Sequence, residues 1–285
     1  GGALRGVLPL YAARSPIAGH GVWSLDAALG DDARTRNALY ERAHELARAR
    51  RAKFLQIRNA AVTVPAPARA DRAVRTVVDP ACEADALWAR LSSNLRRKVR
   101  KAEREGFAVA PADDALDAFY RVFARRMRDL GTPVPPRALL HAMRRHMQET
   151  AHLLALKRDR QVVGGMICLD GPDETSSMLV AVEPELMRLY PTYLLYWYAL
   201  QRAAERGVRL DLGRSVPGSG NHQFKQAWGG VDADVPTSWY ITAGCSGKLP
   251  DLHRADSRAQ RLWRRLPLPV ANALGPMIRR RHPFA

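Results

Sequence analysis

The sequence predicts an α/β (α+β) protein of two tandem copies of one unit, each a mixed, mostly antiparallel sheet flanked by helices. Three observations predict it. The first is a repeat: Leu39-Tyr40, Ala47, Arg50 and the apolar run Phe54 to Arg58 recur as Leu195-Tyr196, Ala203, Arg206 and Leu210 to Arg214, at a spacing of about 156–159 residues. Gly6 to Leu10 and Gly165 to Leu169 give a matching pair of strands, so the first copy is expected to be truncated at its start. The second is helical periodicity: Trp88, Leu91, Leu95, Val99 and Ala102 fall at steps of three and four, predicting one amphipathic helix over 86–105 closed by Gly106. The third is a run of three strands, 153–157, 162–169 and 176–182, joined by turns too short for a crossover and hence antiparallel.

The remaining elements follow from the same patterns. A strand is expected at 107–110. A helical stripe then runs through Leu116, Phe119, Tyr120, Phe123, Met127 and Leu130, stopped by Gly131 and Pro133. A third helix is expected over 137–149. The stretch 191–206 is long enough to cross the sheet, so the strand 208–212 should return parallel to its predecessor, with right-handed chirality. A strand near 238–242 would complete that second sheet. Domain boundaries are expected to give an N-terminal domain at 1–82, a second at 83–247 and a basic amphipathic tail at 248–285.

The chain has 285 residues, 45 Lys and Arg against 28 Asp and Glu, and a formal charge of +17. At 47% hydrophobic and 26% charged it excludes a disordered, fibrous or membrane-embedded protein. The charge calls for an anionic partner: RNA, a nucleotide-linked sugar or an acidic membrane face. Six residues are lysines, Lys53, Lys98, Lys101, Lys157, Lys225 and Lys248; the arginine excess also fits a GC-rich coding sequence. Cys82, Cys168 and Cys245 form no Cys-x-x-Cys spacing and no leader pattern precedes them, which reads as a reduced, cytoplasmic protein.

An antiparallel meander, a crossover helix and a parallel strand follow the element order of the GNAT acyltransferase fold. Within that order, Leu91 to Gly106, with its Arg96-Arg97-Lys98-Val99-Arg100-Lys101-Ala102-Glu103 core, resembles the helix that opens a domain of FemAB-like proteins. Asp211-Leu212-Gly213-Arg214-Ser215 and Phe224-Lys225-Gln226-Ala227-Trp228-Gly229-Gly230 resemble that family's Asp-Phe-Gly and Phe-Lys-x-x-Phe/Trp-Gly stretches. Pro191 to Trp197 and Arg128 to Pro133 are similar to the FemAB-related proteins of exosortase/PEP-CTERM exopolysaccharide systems. The resemblance spans about residues 4–280. It implies tandem GNAT domains and a cleft where the meander's last strand and the post-crossover strand splay. It also implies acyl or aminoacyl transfer to an amine of an envelope, peptidoglycan or exopolysaccharide precursor. The family pattern carries a longer Gly-rich stretch after Trp23-Ser24-Leu25, where Asp26-Ala27-Ala28 follows directly here.

Candidate site residues follow from chemistry and from that resemblance. A coenzyme A-dependent GNAT needs bare glycine N–H groups against the pyrophosphate. Residues 182–193 contain none, and Tyr190, Pro191 and Thr192 fill that turn. The acyl donor is therefore aminoacyl-tRNA or, less readily, acyl-CoA, with no tightly bound cofactor. Arg214, Ser215, Gly218, Ser219, Gly220 and His222 can present donors to a phosphate, or simply form a surface loop. The resemblance places Lys225, between Phe224 and Trp228, near the donor ester, where an ammonium stabilises an oxyanion; otherwise it is a solvated lysine. Asp211 is a base for the attacking amine or the ion-pair partner of Arg209 or Arg214. Tyr190, Tyr193, Tyr196 and Tyr198 are proton donors, stacking surfaces or core. Arg96, Arg97, Arg100 and Lys101 form an anion-binding face able to track tRNA phosphates, and the histidines show no metal-ligand spacing. The tail suits peripheral contact with an anionic inner membrane.

Overall fold

The computed structural model describes residues 3–15, 19–60, 66–80, 84–242, 249 and 258–281. In chain order the strands and helices are β1 (Gly6–Val7), β2 (Leu10–Ser15), β3 (Gly19–Ser24), β4 (Leu29–Gly30), α1 (Ala33–Ala49), β5 (Phe54–Arg58), β6 (Arg69–Asp71) and β7 (Val74–Val78). There follow α2 (Ala84–Arg90), α3 (Ser93–Arg104), β8 (Phe107–Pro111), α4 (Leu116–Asp129), α5 (Arg137–His146), β9 (Ala151–Arg158), β10 (Gln161–Asp170) and β11 (Glu174–Val182). The last group is α6 (Pro191–Glu205), β12 (Arg209–Ser215), α7 (Gly220–Gln226), β13 (Val231–Asp234), β14 (Thr237–Ile241), α8 (Arg258–Arg264) and α9 (Leu268–Arg281). They fall into two compact units: residues 1–74, 233–254 and 280–284, and residues 75–232 and 255–279.

The first unit is a sheet in the order β2-β3-β5-β14-β6. β2 and β3 are antiparallel, and β5 runs parallel to β3 after the crossover helix α1. Asp32 caps α1 by accepting the Thr35 N–H at 2.6 Å, which satisfies one of the orphan donors of the first turn. Tyr40, Ala43 and Ala47 then form the buried stripe of that helix against Val22, Leu55, Ile57 and Tyr240. The expected strand at 6–10 is displaced: Gly6–Val7 pairs with Leu29–Gly30, and the hairpin arm is β2.

The second unit carries a sheet in the order β13-β7-β12-β11-β10-β9-β8, among the described residues. β8, β9, β10 and β11 form the antiparallel meander, and α6 returns the chain to β12, parallel to β11. The core is Leu95, Val99, Leu154, Leu156, Met166, Leu195, Leu200 and Leu210, where α3 and α6 cover one sheet face. Phe119, Phe123, Leu140, Leu153 and Ile167 form a second cluster with α4 and α5.

Four expectations are corrected. The helix over 86–105 is two, α2 and α3: Ser92 caps the second by accepting the Leu95 N–H at 3.3 Å, while Leu91 stays buried and keeps the apolar stripe unbroken across the joint. The third helix stops at His146. The strand near 238–242 pairs with β5 and β6 in the first sheet, and β7, with β13 outside it, extends the second sheet beyond β12 instead. The tail is two helices: α8 and α9 pack on the second unit, with Ala271 buried and Gly275 so close to Val134 that an added Cβ would lie 3.0 Å from its backbone. Cys82 and Cys245 lie outside the described residues, whereas Cys168 is buried and its thiol is pushed up to about 12 by that burial.

Candidate functional site

β11 and β12 are paired only from Glu174 opposite Arg209 to Ser176 opposite Asp211. Beyond that point β11 continues to Val182 with no strand on its β12 side among the described residues. The divergence starts at Gly213, whose φ of +80° is natural only to glycine. Lys225, reaching from α7, donates to the Gly213 and Arg214 carbonyls at 2.8 and 2.9 Å. Its residue is 4% exposed. Burial pulls its ammonium down to about 8, opposed by the charge of Asp211. Asp211 accepts the Gly213 N–H at 2.7 Å, and Arg75 reaches its other oxygen at 3.4 Å while holding Glu174 at 2.8 Å. Asp211 is thus paired with Arg75; Arg209 pairs with Glu174 instead.

The expected 213–222 loop is the end of β12, a short turn and the start of α7. Ser219 caps α7 through the His222 N–H at 3.2 Å. His222 Nδ1 accepts the Gly218 N–H at 3.0 Å, so the ring proton sits on Nε2 and is donated to Asp232 at 2.6 Å. Burial raises the Asp232 carboxyl, but hydrogen bonds from His222, Thr76 and Gln226 outweigh it and hold the group below its ordinary value. With both ring nitrogens engaged, His222 braces the turn. Asn221 likewise donates to Ser215 Oγ at 3.2 Å.

A cavity of about 350 Å³ opens beside the free edge of β11. Val180, Val182, Tyr190, Tyr193, Tyr196 and Phe224 give it apolar walls, and Arg126, Thr192 and Asn221 add polar groups. Tyr193 and Tyr196 meet Phe224 edge-on at 5.1 and 5.2 Å, with Trp228 packed behind them. Burial, opposed in part by Ser177, pushes the Tyr196 hydroxyl up to about 12, so it keeps its proton. At the rim Tyr190 is left-handed, with φ of +63° just before α6. Lys98 donates to the Tyr193 hydroxyl at 2.9 Å, and Lys101 lies 5.2 Å from the centre of the Tyr190 ring.

The structure therefore brings Tyr190, Tyr193 and Phe224 into the cavity wall and Lys225, Asp211 and Gly213 to the splay point. Arg96, Arg97 and Arg100 line a different groove of about 380 Å³ with Ser93 and Arg104. Sequence reasoning missed Arg126 and Asn221 in the wall and Arg75 and Asp232 behind it, and took Lys98 as part of the basic face of its helix, not as a rim residue of this cavity. A larger cavity, of about 610 Å³, lies in the first unit along α1 and β14 and includes none of these residues. Among the described residues no group of three or more His, Cys, Asp or Glu can hold a metal ion. None of their helices is long and apolar enough to cross a membrane.

Residues 89–226, which hold the whole cleft, match the model of a family described as "Acetyltransferase (GNAT) domain". The fold is that of tandem GNAT proteins. It is similar to FemX, with a TM-score of 0.61 at 14% identity over 84% of this chain and 85% of that one. L-PGS from Bacillus licheniformis is similar with a TM-score of 0.59 at 14% identity, over 96% and 86% of the two chains. A tandem GNAT protein from the clavulanic acid biosynthesis pathway gives a TM-score of 0.51 at 12% identity, over 85% of each chain. No curated protein matches the chain. The family match and the shared fold support an N-acyltransferase.

Proposed function

We propose that the protein transfers an acyl or aminoacyl group from a phosphate-bearing carrier to an amine of a cell-envelope or exopolysaccharide precursor. The observation that carries this is the β11–β12 splay, which leaves a strand edge, a tyrosine-lined cavity and a cationic rim in one place. The acyl arm lies along the free edge of β11 between Val180 and Tyr193. Lys98, Lys101 and Arg126 meet the carrier's phosphates with side chains, in place of the glycine N–H groups that residues 182–193 lack. The amine attacks the acyl carbonyl and forms the amide bond. The bond to the carrier breaks, the carrier takes a proton from the Tyr196 hydroxyl, and the proton released by the amine nitrogen as the amide forms returns to the Tyr196 oxygen, so that the tyrosine ends neutral. Lys225 and Asp211 act by fixing the end of β12, since their hydrogen bonds run to its backbone.

Both aminoacyl-tRNA and acyl-CoA present this chemistry. The glycine-free turn favours the former, and the family match the latter. The test is thermal unfolding of the full chain with acetyl-CoA, longer acyl-CoAs, uncharged tRNA and aminoacyl-tRNA at matched salt. Protection by an acylated carrier beyond that of its deacylated form supports transfer. Equal protection by both forms reduces the site to polyanion binding and overturns the proposal.

A further inference from the structure

The helix α9 is amphipathic in the reverse sense for a surface helix. Its buried side is made of small residues, Ala271 and Gly275, which let it seat closely on Val134. Its outward side holds Val270, Leu274 and Met277, one residue and its fourth and seventh successors, on a single face. These are 41%, 41% and 64% exposed, and Leu262 on α8 is 67% exposed. A water-facing helix normally places charge at such positions. Here the charge stands towards the two ends, with the exposed Arg264 and Arg265 in the joint ahead of the helix and the exposed Arg280 in its last turn. Arg258 and Arg261 add to the first group on α8, where both are exposed.

An apolar stripe bracketed by arginines fits one occupant, a bilayer rich in anionic lipid. The leucine and methionine side chains enter the acyl boundary while the guanidinium groups stay at phosphate level. A second copy of the chain fits worse. A two-fold contact through this face would bring the same stripe against itself and set arginine clusters against one another in antiparallel register or in parallel. Seating α9 on the second unit also keeps the stripe rigid, so that binding orders little chain.

We infer that the outward face of α9, with the flanking arginines, is a peripheral docking surface for an anionic membrane. It deepens the proposed function by placing the enzyme where lipid-linked envelope precursors are found, yet its test has no activity readout and stands or falls by itself. The full chain is sedimented with vesicles of phosphatidylcholine alone and of equimolar phosphatidylcholine and phosphatidylglycerol. The expected result is binding to the second only, weakened by salt, and lowered roughly tenfold or more in the double variant Leu274→Glu, Met277→Glu. Both positions are exposed, so the variant should keep the unfolding midpoint of the wild type, and Leu274→Ser, Met277→Ser gives a milder check. Binding that is equal on both vesicles, absent from both, or unchanged in the variants overturns the inference. So does a wild-type dimer in sedimentation velocity that the Glu variants turn into monomer.

Discussion

Both units are built on the same hairpin, crossover helix and parallel strand, but among the described residues only the second opens a cleft where the hairpin's last strand and the parallel strand part. In the first unit β3 pairs with β5 from Gly21 to Trp23 and then ends at Ser24. Ser24 Oγ accepts the Arg58 N–H at 2.8 Å, closing the place where the strands would part. The ring of Phe54 fills the space above Gly21, packed between Trp23 and Trp239. In the second unit β11 runs on from Ser177 to Val182, Gly213 turns β12 away, and Lys225 holds the diverging backbone. The same topology thus gives a closed core or a binding site, according to how far one strand outlasts its pairing and what plugs the gap.

Filling the open cleft is expected to have the largest effect. Val180→Trp places an indole beside Tyr193 and should abolish both donor protection and transfer, with the circular dichroism spectrum unchanged. Next comes Lys225→Met, which removes two charge-assisted hydrogen bonds from the end of β12. Transfer is expected to fall on the order of 10²-fold, measured as kcat/KM, with donor binding less affected.

The same lysine gives a pH signature. Its folded value of about 8 lies below the ordinary 10.5, so above pH 8 the unfolded chain binds the extra proton. The stability cost of burying the charge is therefore in full force below pH 8 and relieved as pH rises towards 10. Chemical denaturation of wild type minus Lys225→Met should shift in favour of the wild type across that window. A flat difference would mean that the ammonium is solvated.

The closed unit gives a smaller, opposite kind of effect. Ser24→Ala leaves the Arg58 N–H without its partner and should destabilise the first unit by about 1–3 kcal/mol while leaving donor binding intact. Smallest is Tyr190→Gly: relief of the left-handed backbone, worth about 1–2 kcal/mol, offsets the lost ring packing, so the unfolding midpoint should barely move. Donor affinity should nevertheless drop, because Lys98 and Lys101 lose the ring that gathers them.

The central architecture was legible in the sequence because its signals are local. The short turns between β9, β10 and β11 force antiparallel pairing, and the length of α6 forces the crossover. The exchange of strands was not legible: Val74–Val78 and Thr237–Ile241 have a strand pattern that fits either sheet, and only long-range pairing sends β7 to one and β14 to the other. The break at Ser92 was masked by Leu91, whose burial continues the stripe of both helices. In the site, Lys225 stood out as a lysine between aromatics in an arginine-rich chain. Its bonds to backbone carbonyls left no mark, Arg75 reaches Asp211 from 136 residues away, and Asp232 meets His222 only because the chain turns back after α7. Tyr196 was legible as one of four tyrosines able to donate a proton, stack or sit in the core, but the burial that pushes its hydroxyl up to about 12 depends on the fold.

The most direct test of the account is a titration of the acylated carrier against wild type, Val180→Trp and Ser24→Ala by calorimetry. The account predicts binding to the wild type and to Ser24→Ala with equal affinity, and none to Val180→Trp. Undiminished binding to Val180→Trp would contradict it, because the donor would then lie outside the cleft between β11 and α6.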